Sequence, residues 1–152
     1  MPTTYLSQHF TLEELTKTSQ PFYNEPSPRQ VDALTYGAAR VLQPWRDRIG
    51  VLEVTSGYRS FKVNQAVGGA PTSQHLDGQA ADVVPRRATK DEAWRVLLQL
   101  MEDGAPIDQA ILYESKPHIH VSWKPNGTPR KQLLVATRDG QYVAWSTYRR
   151  AG

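Results

Sequence analysis

The chain has four histidines and no cysteine. Disulfides and thiolate metal sites are therefore excluded, and any metal bound through side chains must use imidazole and carboxylate. His75, His118 and His120 fall in or beside strand-like runs, and Asp82 interrupts the otherwise apolar run Ala80–Val84. Side chains alternate along a strand, so His118, His120 and Ser122 share one face while Ile119, Val121 and Trp123 share the other. Asp82 likewise shares a face with Ala80 and Val84, and the small Ala80 leaves room beside the carboxylate. Buried imidazoles and carboxylates are costly unless hydrogen-bonded or bound to something. Two histidines and a carboxylate match the inner shell of a catalytic zinc site, whose fourth position is left to a water with its pKa lowered to about 7. The helical H-E-x-x-H arrangement is absent. Spacing alone leaves a second reading equally open, with Asp82 paired to a basic residue and the histidines on an exposed edge strand.

The elements that must position these residues can be read from caps and periodicity. Thr11 and Glu14 form a capping-box pattern opening a short helix with Leu12 and Leu15 on one face. Ser27 caps a second helix with Pro28 at its first position. Val31, Leu34, Ala38, Val41, Leu42 and Trp45 keep helical spacing along it, and Pro44 is expected to kink or end it near Leu42. "VLEVTSGYRS" starts as a strand and turns at Gly57, and a helical turn is expected around Lys62–Ala66. "QAADVVP" reads as a strand stopped by Pro85. Thr89 and Glu92 open a helix with Trp94, Leu97, Leu98 and Met101 on one face. "QAILYE" and "HIHVSW" read as strands, and "KQLLVATRDGQYVAWSTY" as a hairpin through Asp139-Gly140. Helices precede most strands, so the expectation is α+β: one domain over 1–152, with N-terminal helices packed on a mainly antiparallel sheet.

A hydrophobic share of 39% and a charged share of 22% belong to a globular chain. The net charge of +3 is spread along the sequence, and its densest cluster, Arg149-Arg150, is too small for a nucleic-acid arm. No nucleic-acid partner is expected. No run approaches the roughly 20 apolar residues of a membrane span, so no membrane insertion is expected, and the protein is expected to be a monomer. The opening "MPTTYLSQHFTLEELT" has no basic segment followed by an apolar one, so no signal peptide is expected.

Taken together, "SGYRS" at 56–60, Asn64, "VGGAPTSQHLDGQAADV" at 67–83 and "HIHVSW" at 118–123 resemble the zinc D-Ala-D-Ala carboxypeptidase family of peptidoglycan peptidases. That family also includes L-alanyl-D-glutamate endolysins. A compact branch common in phages and prophages has phrases similar to "HFTLEELTKT" and "VLQPWRDRIG". The resemblance covers about residues 8–123, and residues 124–152 add little to it. It implies a D,D-peptidase/hedgehog-like fold, a Zn2+ cofactor and hydrolysis of amide bonds in peptidoglycan stem peptides after release from the cytoplasm. It further implies that His75, Asp82 and His120 are the zinc ligands, that Arg59 binds a substrate carboxylate and that Ser73 hydrogen-bonds substrate. An arginine suits that task because it forms two parallel hydrogen bonds to a carboxylate. His118 is implied beside the metal, contacting substrate and the developing oxyanion. Many relatives place an acid three positions before the last ligand, where this chain has Pro117. Glu114 is therefore expected to be the general base, with Asp108 as the alternative and Asp77 facing solvent. The missing acid lends weight to another reading, a catalytically silent virion component or cell-wall-binding module of the same fold. Trp45, Trp94 and Trp123 are expected in the core, Asn64 and Gly68-Gly69 in shaping the loop before His75, and His9 at the surface. Trp145 and Tyr148 are expected in the last hairpin, more as core than as glycan contacts.

Overall fold

Three helices begin with the same device. The side chains of Thr11, Ser27 and Thr89 each accept the backbone N–H three residues on, and Glu14, Gln30 and Glu92 reach back to the cap N–H. In the computed structural model, which describes residues 2–151, these caps start α1 (Leu12–Thr16), α2 (Pro28–Gly37) and α5 (Lys90–Glu102). Between them lie α3 (Gln43–Ile49), β1 (Leu52–Ser56), α4 (Phe61–Ala66), a 3-10 turn (Gln74–Asp77) and β2 (Ala80–Pro85). The chain continues through β3 (Ile107–Tyr113), β4 (Ile119–Trp123), β5 (Gln132–Ala136), β6 (Tyr142–Ala144) and α6 (Trp145–Ala151).

Pro44 does not end its helix. A π-helical turn, Ala38–Leu42, joins α2 to α3, and the Gln43 N–H reaches back five residues to the Ala38 carbonyl. Proline has no N–H to give and its ring presses on the carbonyl four residues back. The wider turn directly before it relieves that clash, so the helical path runs on to Ile49 and buries Val41, Leu42 and Trp45.

The six strands form one sheet in the order β1-β2-β4-β3-β5-β6, antiparallel except for the parallel pair β3–β5. The architecture is α+β, consistent with a D,D-peptidase-like fold. One sheet face is apolar, with Val54, Val83, Ile119, Val121 and Leu112 buried in the core. Two buried tryptophans tie the layers together: Trp123 Nε1 donates to the Ala33 carbonyl of α2 and Trp45 Nε1 to the Ala93 carbonyl of α5, both at 2.9 Å. Gly37 is needed where α2 crosses β4, because a Cβ there would lie 1.9 Å from the Trp123 ring.

The final hairpin forms through Asp139-Gly140, with Val135 opposite Val143, but the chain leaves it after Ala144. Residues expected to continue the strand are helical instead, in α6. Trp145 and Tyr148, three apart and so on one helix face, both pack against the core. Trp145 meets the Trp94 ring at 5.5 Å, edge to face. No helix among the described residues is long and apolar enough to cross a membrane.

Candidate metal centre

Asp82 of β2 lies directly opposite His120 of β4, and His120 lies opposite Ile111 of β3. Directly opposed residues of antiparallel strands project to the same face. Here that is the face away from the core, because the flanking Ile119, Val121 and Val83 turn inward. His75 arrives from the 3-10 turn. Its backbone N–H is capped by Ser73 Oγ at 3.2 Å, and Gly78 ends the turn in the left-handed region at φ 70°. A Cβ at Gly78 would also come within 2.6 Å of the Gln30 carbonyl oxygen.

The three side chains converge. Asp82 Oδ1 lies 2.9 Å from His120 Nδ1 and 3.5 Å from His75 Nε2, and one ligand atom from each residue falls within 4.8 Å of the others. His75 is 3% exposed. Its Nδ1 lies 2.6 Å from the Gly57 carbonyl oxygen. A carbonyl only accepts, so Nδ1 carries the proton and Nε2 presents a lone pair. Burial pushes the His75 imidazole below its ordinary value, against the opposing pull of Asp82. Burial pushes the Asp82 carboxyl up, but the adjoining His120 and His75 imidazoles outweigh this and hold it well below the ordinary range. A neutral imidazole lone pair therefore faces an ionised carboxylate with no proton between them. A cation relieves that opposition, and two imidazole nitrogens with one carboxylate oxygen are a donor set that zinc accepts.

Arg59 closes one side. Its N–H groups reach Ser56 Oγ at 3.0 Å, Asn64 Oδ1 at 3.4 Å and Asp82 Oδ2 at 3.4 Å. Its backbone N–H donates to the His75 carbonyl. Buried Asn64 braces the loop ahead of His75 through the Ala70 carbonyl at 2.9 Å, and a Cβ at Gly69 would strike its side chain.

A family model described as Peptidase M15 matches residues 8–122, a span holding Arg59, Ser73 and all three converging residues. The chain belongs to the peptidase M15 family. Peptidases of this family are in general zinc-dependent. Among curated proteins no significant match is found.

A cavity of about 580 Å³ opens over the cluster of this M15 family member, with Arg59, Ser73, His75, Asp82, His118 and His120 on its wall. His118 falls just before β4, half-buried, with its ring 4.7 Å from that of Tyr113. Ser122 is fully buried, its Oγ donating to the Gln109 carbonyl at 3.4 Å. Glu114 is not brought to the cluster. Its carboxylate accepts the Arg138 N–H at 2.8 Å and the Tyr148 hydroxyl at 2.7 Å, on the side of the last hairpin and α6. Asp108 is 2% exposed and bound to Arg130, while Asp77 is exposed. Sequence reasoning missed Gln109, Tyr113, Lys116, Arg130 and Tyr142 on the cavity wall. For Gln109 and Tyr113 a signal existed, because both sit in step with Ile111 on alternate positions of β3. Burial pushes the Tyr113 phenol far up, so it stays protonated as a donor.

Proposed function

We propose that this protein is a zinc metallopeptidase that hydrolyses an amide bond in peptidoglycan stem peptides, as a D,D-carboxypeptidase or an L-alanyl-D-glutamate endopeptidase of endolysin type. The observation that carries the reading is the convergence of His75 Nε2, Asp82 Oδ1 and His120 Nδ1 beside Arg59 at the base of an open cavity. Those three residues would hold zinc, which supplies Lewis-acid polarisation and a water acidified to a pKa of about 7.

The chain's own groups do the rest. Arg59 keeps one N–H on each terminal nitrogen after its bonds to Asn64 and Asp82, and these two grip a substrate carboxylate. That grip fixes which amide lies over the cluster. Ser73 Oγ accepts the His75 N–H and keeps its own O–H to donate to substrate from the cavity wall. His118 takes a proton from the attacking water and delivers it to the leaving amine nitrogen. The Tyr113 hydroxyl donates to the oxygen that gains charge. Glu114, turned toward Tyr148 and Arg138, takes no part.

A silent wall-binding module remains the second reading. One observation favours it: Asp82 is the single carboxylate on the cavity wall among the described residues. Mass spectrometry of muropeptides digested by zinc-loaded protein separates the two readings and names the bond cut. His118→Ala should lower kcat by about 10²–10⁴-fold, while Glu114→Gln should stay near wild type. The opposite ranking would return the base to Glu114, and absence of any cleavage product would leave the binding module.

A further inference from the structure

Arg130 and Tyr142 line the cavity although both lie beyond the matched span 8–122. Arg130 is held firmly for a surface arginine. Its Nε and a terminal nitrogen reach Asp108 Oδ2 at 2.9 and 2.8 Å, and its backbone N–H reaches Asp108 Oδ1 at 2.8 Å. Gln74 Oε1, next to His75, accepts a further N–H at 3.3 Å. Only the other terminal nitrogen is lightly used, 3.5 Å from Gln132 Oε1. Asp108 is buried while the Arg130 side chain is half-exposed, so a buried carboxylate aims an open guanidinium. Fixing it in advance removes ordering cost at the moment of binding.

The sheet register places this group. Asp82, His120 and Ile111 form a line across β2, β4 and β3. Gln109 lies two residues along β3, about 7 Å away, and pairs with Gln132 of β5 beside Arg130. Arg59 sits at the opposite side of that line, on Ser56 of β1, which pairs with Asp82. Among the described residues the cavity wall carries three cationic side chains, Arg59, Lys116 and Arg130, against one carboxylate, Asp82. Such a wall concentrates anionic ligands.

We propose that Arg130 anchors a second substrate carboxylate, so that the ligand is a peptide with two free carboxylates gripped from opposite sides of the metal cluster. This inference rests on the peptidase reading above and deepens it. The test is calorimetric titration of the zinc-loaded protein with γ-D-glutamyl-L-lysine and with each of its two monoamides. The wild type should bind the diacid about tenfold or more tightly than either monoamide, the range of one charge-assisted hydrogen-bond pair. Arg130→Gln should erase the preference over one monoamide and leave the preference over the other. Arg130→Lys keeps a cation for Asp108 but has no second nitrogen aimed at the ligand, and should show the same selective loss. If Arg130→Gln does not fold, the lysine variant decides. Equal weakening toward all three peptides, or a wild type that binds them alike or not at all, overturns the inference. A wild type that discriminates yet cleaves no muropeptide overturns the hydrolase reading instead.

Discussion

Gly57→Ala tests whether the carbonyl behind His75 matters to metal binding. A Cβ at position 57 would lie 2.3 Å from the Leu15 carbonyl oxygen and 2.8 Å from its carbon. These are backbone atoms of Leu15, the buried residue of α1, so no rotamer change relieves the clash, and the 57–58 turn must move by about 1 Å to restore ordinary contact. The same turn carries the carbonyl that holds His75 Nδ1 at 2.6 Å. A shift of that size breaks the hydrogen bond, and the Nε2 lone pair is no longer fixed toward Asp82. Losing such an outer partner of a metal-bound histidine costs about 10–100-fold in metal affinity, or about 1.4–2.7 kcal/mol. Overpacking adds about 1–3 kcal/mol of lost stability. Competition with a chromophoric chelator measures the first quantity and urea unfolding of metal-free protein the second. Because the clash is with backbone, truncating Leu15 in addition should rescue neither. A Gly57→Ala protein that binds zinc as tightly as wild type, with the His75 Nδ1–H still visible by nitrogen NMR, would refute this reasoning.

Other outcomes follow from the same site. Zinc at about 100 times its Kd should raise stability by about 2.7 kcal/mol, or roughly 5–10 °C in Tm for a chain of this size. A chelator should reverse the rise, and His120→Ala should abolish it, as read by calorimetry. Asn64→Ala strands the Ala70 carbonyl and releases Arg59, costing about 1–3 kcal/mol in urea unfolding and raising KM more than it lowers kcat. Burial pushes the Asp108 carboxyl up, but the Arg130 side-chain and backbone N–H groups outweigh this and hold it below the ordinary value of 3.8. A depressed carboxyl contributes stability above its unfolded pKa and loses it as pH falls through the folded value. The stability gap between wild type and Asp108→Asn should therefore be full at pH 7 and shrink below about pH 4, measured by unfolding at each pH.

Much of the frame was legible because its signals are local. The capping boxes at Thr11 and Thr89 and the turn at Asp139-Gly140 each act within a few residues, and each appears where the pattern put it. Near Pro44 the helix does depart from α geometry, at Ala38–Leu42, but it does not end, because that π turn, invisible to a 3.6-residue period, absorbs the clash. Helix α6 misled because Trp145 and Tyr148 answer to partners far away, Trp94 and Glu114. At the site, strand alternation accounts for Asp82 and His120 sharing a face, and the loop motif accounts for His75. The direction of Glu114 depends on Tyr148 and the Arg138 backbone, both brought in by the final hairpin and helix. Arg130 is aimed at the cavity chiefly by Asp108, 22 residues earlier. Neither spacing nor composition encodes such a contact.

The position of β5 in the sheet has a consequence for how such a protein can diverge. The converging His75, Asp82 and His120 come from the 3-10 turn and two interior strands, β2 and β4, whereas Arg130 precedes β5 and Tyr142 opens β6. Those two strands join the sheet through β3 alone. Substitutions and length changes in the exposed parts of the 124–144 segment therefore fall at the margin, away from the strands that carry Asp82 and His120. Under the proposed reading, preference for one peptide over another can drift under selection while the His75–Asp82–His120 cluster is inherited intact.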